Sequence, residues 1–491
     1  MNYKRKVLIV IIIIKVLTFI WFLSQGGINI IEGFWGRCIT EIWYGYLQGM
    51  ENFVTNFSYD PDLRMPGYGM VYLIPRLLTN VPTACNIVII IQLLTAIVST
   101  YLLAEIALKI FKTKTSFILT AIIFSLNFCI SSYEVKLYSD SLSISFSIIA
   151  FYFFMKYFEK AKYYHILISA ILICWAIFIR PVMGVMWGVM GIYLLISAIK
   201  NKSGKTFVAI VLFAAPFIIC DSLWVIRNYI KHKEISPFDS MKLYKADFNN
   251  TRTDLLYPYI FRFVSSWGGN PVMWDPESET RWFGIEKRVI DGSEAYFKLG
   301  EYQKDLPEYI YTSKFNNDSL LILRSKIQMI WSNTLSQEEE LEYCDFVNTR
   351  LLKYTQSIRE EKPFIYYVYS PLRIAKTFLF THGTQNLIDK KFVEMNFFEK
   401  SVKIMASCIN IFTVLFGLMG IIMIIIKRNS EKILYIPVAF SLLYIFYICF
   451  IFKFPEIRYL LPLYAYLMIP AIYTILLIDK LFRKSIVRPK S

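Results

Sequence analysis

Between Gly26 and Tyr68 the chain gathers five carboxylates (Glu32, Glu41, Glu51, Asp60, Asp62), two arginines (Arg37, Arg64) and a dense set of aromatics. A carboxylate within hydrogen-bond reach of a hydroxyl can act as a general base. Guanidinium groups bind phosphates bidentately and keep their charge. An apolar segment precedes this stretch and another follows, so the loop is held against a bilayer surface, where a lipid headgroup meets it. Four further places put charge at the ends of apolar runs: Asp140 in YSDSLS, Arg180 in IFIRPVM, Arg227 and Asn228 in LWVIRNYIKHK, and Lys453, Glu456, Arg458 and Tyr459 in KFPEIRYLLP. Charge near a bilayer is expensive and usually has a partner or a ligand. Each one alone also fits a snorkelling anchor or a local ion pair, and Asp140 fits a helix N-cap. Together with Arg64 they converge on one external face, an arrangement suited to a phosphate or pyrophosphate.

The elements that must position these residues are membrane helices. The 491 residues are 56% hydrophobic and only 18% charged, with a mean hydropathy of +0.46, outside the range of a soluble protein. The apolar runs are continuous and helix-length, without the alternation of barrel strands. The predicted fold is an all-α polytopic membrane protein with about ten spans, near 7–24, 84–109, 115–132, 140–157, 163–180, 182–199, 206–226, 402–426, 433–452 and 458–478. The formal charge of +16 does not point to nucleic acid, because Lys and Arg fall largely in short clusters between the apolar runs. These clusters lie around Lys4–Lys6, Lys109–Lys114, Lys156–Lys162, Lys200–Lys205, Lys427–Lys432 and Lys480–Lys490. With ten spans all of them share one side, the positive-inside pattern, and both termini are then cytoplasmic. Aromatics at 17% suit interfacial belts.

The N-terminal apolar run has no small-residue cleavage site after it and is predicted to be a retained first span. Lys15 in its middle is either a buried or snorkelling lysine or a phosphate contact. The segment 66–78 is apolar but too short to span and is interrupted by Pro75 and Arg76. It is predicted to be a helix in the external interface. The domain expectation is an N-terminal membrane module over 1–231 with a catalytic first external loop at 25–83. An external loop domain over 232–400 and C-terminal membrane helices over 401–491 complete it. Helical patterning in the second half of the external region and Gly/Pro turns between the tryptophans of SSWGGNPVMWDPESETRWFG indicate that it is ordered. Cys85, Cys129, Cys174, Cys220, Cys408 and Cys449 lie in apolar runs and are expected to be small core residues. A Cys38–Cys344 disulfide is one option for the two loop cysteines. No CxxC or His cluster suggests a structural metal.

The order of motifs resembles the GT-C superfamily of polyprenyl-phosphate-sugar-dependent glycosyltransferases, closest to the bacterial family-39 group of protein mannosyltransferase-like and aminoarabinose transferase-like enzymes. The matching pieces are RMPGYGMVYLI at Arg64 to Ile74, containing Pro66, Gly67 and Tyr68, LYSDSLS around Asp140, AIFIRP ending at Pro181, LWVIRNY, and EIRYLLPLY from Glu456. They cover the membrane part and not 232–400. The resemblance implies a GT-C-like fold and an inverting transfer from a polyprenyl-phosphate-linked sugar to an extracytoplasmic acceptor, an envelope glycan, lipid or protein, at the inner or plasma membrane. An acidic residue of the first external loop would be the general base. Arg64, Asp140, Arg180, Arg227, Arg458 and Tyr459 would serve the donor phosphate. Some members of the superfamily use a divalent cation and others none. The chain departs from the family pattern in having no Asp between Met1 and Tyr59. Glu32 and Glu41 bracket the expected position of the base, Glu32 ranking slightly ahead. PGYG stands where PGYP is usual. Two other classes stay open: a flippase or transporter for lipid-linked sugars, and a non-catalytic membrane subunit of a polysaccharide assembly system. The first is disfavoured by charges clustered at one face and by the absence of half-to-half similarity. The second is kept open by the missing Asp.

Overall fold

The computed structural model describes residues 3–25, 47–59, 64–202, 204–233, 235, 237, 252–272, 278–283, 287–289, 295–297, 305–331, 335–380, 387–388, 390, 392–427 and 431–487. In chain order the helices are α1 (Tyr3–Gln25), α2 (Gln48–Asn56), α3 (Gly67–Leu78), α4 (Val81–Phe111), α5 (Lys114–Ser125), α6 (Phe128–Glu134), α7 (Ser139–Lys160), α8 (Tyr163–Ile179), α9 (Gly184–Asn201) and α10 (Gly204–His232). They continue with α11 (Arg252–Ser266), α12 (Asn317–Trp331), α13 (Gln337–Glu361), α14 (Ser370–Phe380), α15 (Phe397–Ile426), α16 (Tyr435–Phe446) and α17 (Leu461–Val487). Apart from short 3-10 and π segments, the other regular structure among the described residues is a two-stranded antiparallel ladder, Lys287–Val289 with Ala295–Phe297. The chain is an all-α polytopic membrane protein. Among the described residues, eight helical segments are long and apolar enough to cross a bilayer, and α5 with α6 adds a ninth if the bent pair is one span. The apolar α8, at 17 residues, falls at the lower limit for crossing.

The chain forms two compact units, one of Met1–Leu243, His382–Tyr444 and Leu460–Ser491, the other of Tyr244–Thr381 and Ile445–Tyr459. In the first unit, local chemistry sets the helix ends. Asn80 caps α4 by accepting from the Thr83 amide, Thr113 caps α5 through Ser116, and Asn127 caps α6 through Ile130. Such caps satisfy amides that have no partner within the helix. The Asn127 cap starts a new helix inside the apolar run 115–132. That run is therefore not one straight span: α5 and α6 meet at a bend of 57°. The last helix likewise begins at Leu461 rather than 458, after a 3-10 turn over Ile457–Tyr459.

Ile11, Ala104, Phe117 and Ala121 lock α1 against α4 and α5. By contrast, 22% of the most apolar window of α10 is buried, leaving Val208, Val211, Ile218 and Ile219 outward, as a lipid-facing helix requires. Cys220 and Cys408 are also exposed. They are lipid-side residues and not core ones, because a hydrophobic run has the same composition whether it faces protein or acyl chains. Cys85, Cys129, Cys174 and Cys449 are buried. The second unit has its own core, in which Phe263 and Trp267 of and after α11 join Phe283, Phe315, Leu320, Leu351 and Tyr354. Cys344 is buried in that core, and Cys38 lies outside the described residues. A capping box of Ser336 and Glu339 opens α13.

Candidate active site

The PGY segment is a docking device. Pro66 precedes the first turn of α3 and Gly67 begins it. A Cβ on Gly67 would lie 2.6 Å from the Ile179 amide nitrogen and nearer still to the Phe178 carbonyl carbon, so backbone meets backbone where α3 crosses the end of α8. The Trp175 indole donates to the Gly67 carbonyl at 2.9 Å. Tyr68 is 1% exposed and its hydroxyl donates to Gln92 Oε1 at 2.9 Å. The opposite side of α3 carries Ile74, Leu77 and Leu78, all exposed. A 12-residue helix with one buried and one apolar exposed face fits the interfacial position expected of 66–78.

The end of α8 that Gly67 touches leads directly to Arg180, the C-cap residue. Arg180 pairs with Asp140, in the first turn of α7. Both are buried. The pair joins a carboxylate at a helix N-terminus to a guanidinium at a helix C-terminus, the positions where each charge is favoured by the peptide dipoles. The N-cap residue of α7 is Tyr138, without a side-chain cap, so the expected capping role of Asp140 gives way to the ion pair.

Arg64 and Arg227 share a second cluster. The Tyr59 hydroxyl donates to the Arg64 carbonyl at 3.1 Å. Arg227 donates to the Tyr59 carbonyl at 3.1 Å and to Asn228 Oδ1 at 2.9 Å. Its guanidinium lies over the Trp224 and Tyr59 rings, at 5.1 and 6.0 Å, distances at which cation–π attraction acts. Arg458 and Tyr459 belong to the second compact unit, where Arg458 lies 3.8 Å from Glu456. Glu32 and Glu41, the predicted bases, lie outside the described residues, as do Asp60 and Asp62.

Glu51 is fully engaged. It takes Arg76 bidentately at 2.7 and 2.8 Å and the Tyr72 hydroxyl at 2.8 Å. Burial and the adjacent Glu51 push the Tyr72 phenol well above its ordinary value, and the bond to Glu51 holds Arg76 more firmly protonated. The carboxylate thereby fastens α2 to α3 within the first loop. Lys15 is 0% exposed and donates to Glu134 at 2.6 Å and Ser131 at 3.0 Å. Its charge is thus met by α6, and the phosphate-contact alternative is set aside. Sequence reasoning passes over Gln92 and Glu134. The signal available was the amide that interrupts IVIIIQLLTAIV in α4 and the carboxylate that ends FCISSYE.

Lys453 follows the penultimate span in a left-handed turn (φ 53°). Its amine donates to the Tyr366 carbonyl at 3.0 Å and sits 3.9 Å from that ring's centroid. Burial lowers its pKa from 10.5 to about 8. Between those values the unfolded chain binds more protons than the folded one, so stability rises with pH across that window, and the burial penalty is fully present below pH 8. Thermal melts at graded pH should show this rise in the wild type and a flatter profile for Lys453→Met.

Among the described residues no three His, Cys, Asp or Glu side chains are grouped to hold a metal ion. Neither the curated proteins nor the solved structures contain a match to the chain. Residues 70–224 match the family model described as dolichyl-phosphate-mannose-protein mannosyltransferase. The match takes in Asp140 and Arg180 and stops short of Arg227. The match spans less than half of the chain and supports a likeness to the membrane glycosyltransferases of the GT-C superfamily.

Proposed function

We propose that the chain transfers a sugar from a polyprenyl phosphate to a hydroxyl of an extracytoplasmic acceptor, an envelope glycan, lipid or protein, with inversion at the anomeric carbon. The observation that carries this reading is the Asp140–Arg180 pair, which lies inside the matched region, is buried where α7 begins and α8 ends, and is braced by Gly67. A polar junction of that kind, built among apolar helices, is costly unless it serves a ligand or a partner. In this reading the acceptor hydroxyl gives its proton to Glu32 or Glu41 and its oxygen attacks the anomeric carbon. The bond from that carbon to the phosphate oxygen breaks, and the polyprenyl phosphate leaves with the electron pair. Arg64, Arg180 and Arg227 stabilise the negative charge left on the phosphate, and Asp140 orients Arg180. The loop 25–83 and the region 232–400 lie outside the cytoplasm, with both termini inside.

The test is transfer of radiolabelled sugar from a panel of polyprenyl-phosphate sugars by the purified protein in membranes, with Glu32→Gln and Glu41→Gln alongside. One of the two should lower transfer by about 10²–10⁴-fold, the usual contribution of a general base. Full tolerance of both substitutions removes the proposed base. Absence of transfer from every donor favours the transporter or subunit class instead.

A further inference from the structure

The buried polar contacts of the membrane unit close into a ring. Tyr68 of the PGY segment donates to Gln92 Oε1. The same amide donates through Nε2 to the carbonyls of Glu134 and Lys136, at 3.0 and 2.8 Å. The first is freed where α6 ends, a group that an apolar interior cannot leave unpaired without cost, and the second lies in the turn that follows and also accepts from the Tyr138 amide at 2.7 Å. The turn they belong to runs straight into α7 and Asp140. Asp140 holds Arg180, and the two residues before Arg180 touch Gly67, which adjoins Tyr68. Gln92 makes three hydrogen bonds from a side chain that is 0% exposed, one to the PGY segment and two to the turn after α6. Outside the ring, Lys15 grips Glu134 and Ser131, tying the end of the bent helix α6 to the first span. Glu134 Oε2 has no hydrogen-bond partner. Glu134 is therefore held at one carboxylate oxygen by Lys15 of α1 and at its backbone carbonyl by Gln92.

We infer that Gln92 is a positioning residue for the donor phosphate, setting the register of the Asp140–Arg180 pair through the 134–136 turn and Tyr68, with Lys15–Glu134 as its anchor. This rests on the reading above that the chain binds a polyprenyl phosphate. Gln92 touches no donor itself. It acts by fixing the turn before α7 relative to the helix that braces Arg180. A polar side chain kept in an apolar helix for packing alone would be replaceable by Leu, and here the replacement removes three hydrogen bonds at once, two to the 134–136 turn and one to Tyr68.

The experiment uses the full chain in lipid nanodiscs, with polyprenyl phosphate carrying no sugar as the binding probe and donor kinetics measured in parallel. Gln92→Leu and Tyr68→Phe should each raise the probe Kd and the donor KM, Gln92→Leu by about tenfold, with kcat changed far less. The double variant should be no worse than Gln92→Leu, because both act through one amide. A structural defect alone lowers the folded fraction, and with it kcat, at unchanged KM. Folded variants that bind the probe like the wild type, or that lose only kcat, overturn the inference. Tyr68→Phe removes a single oxygen and keeps the ring, so it decides the matter if Gln92→Leu does not accumulate. A wild-type chain that binds no polyprenyl phosphate overturns the functional reading itself, and the positioning role with it.

Discussion

Arg180→Met should unfold or severely weaken the membrane unit, at a cost of about 3–5 kcal/mol, the range for removing one partner of a buried ion pair. Asp140 has no exposed surface, so the carboxylate left behind cannot recruit bulk water. The N-terminus of α7 offsets part of that cost, since amides there favour a negative charge. Asp140→Leu leaves the guanidinium at the end of α8, where carbonyls offer similar partial relief. The double variant Asp140→Leu with Arg180→Met removes both charges and should regain much of the lost stability, because a well-packed apolar pair often matches or exceeds a buried ion pair. Thermal melts of the four proteins form a double-mutant cycle that reads this coupling directly. Donor binding separates fold from function. If Arg180 meets the phosphate, the double variant is folded and still fails to bind polyprenyl phosphate. A double variant that binds it normally would reduce the pair to a structural role.

What was legible in the sequence follows from range. The apolar helices were visible because about twenty consecutive apolar residues carry their own signal. Helix α3 was visible because Pro75 and Arg76 interrupt a run too short to cross. Lys15, Asp140 and Arg180 each stood out as charges in or beside apolar sequence, but their partners were hidden. Lys15 meets Glu134 across 119 positions, and no local pattern links them. The bend at Asn127 was hidden for the same reason. One Asn in an apolar run is common, and it becomes a helix start only once the chain beyond it is gripped by Lys15 and Gln92. Glu51 was visible only as one of five carboxylates in the first loop, without the spacing that singled out Glu32 and Glu41, and its three contacts to Arg76 and Tyr72 mark it as an anchor. Cys220 and Cys408 show the limit of hydrophobicity as a guide, since lipid and core select alike.

Gly67→Ala should be far more damaging than Gly69→Ala, although the two glycines lie two residues apart on one helix. The added methyl at Gly67 would overlap the backbone at Phe178 and Ile179, and a backbone segment cannot rotate aside as a side chain can. Either α3 lifts from α8, breaking the Trp175–Gly67 bond, or the end of α8 moves and carries Arg180 with it. Overpacking of this kind costs about 1–3 kcal/mol and sometimes more, and the contact with main chain places Gly67→Ala at the upper end. At Gly69 the new methyl meets only Met50 side-chain carbons at 3.1 and 3.2 Å. Methionine is flexible enough to yield a few tenths of an ångström, and alanine is the better helix former, so the net change there should stay within about 1 kcal/mol. Melting temperatures of the two variants compare these costs. Donor KM then follows the geometry: it should rise for Gly67→Ala, whose strain reaches Arg180 through two residues of backbone, and stay near the wild-type value for Gly69→Ala. Equal effects at both glycines would mean that α3 is not braced against α8 through Gly67, and the link from the PGY segment to the charged pair would be lost.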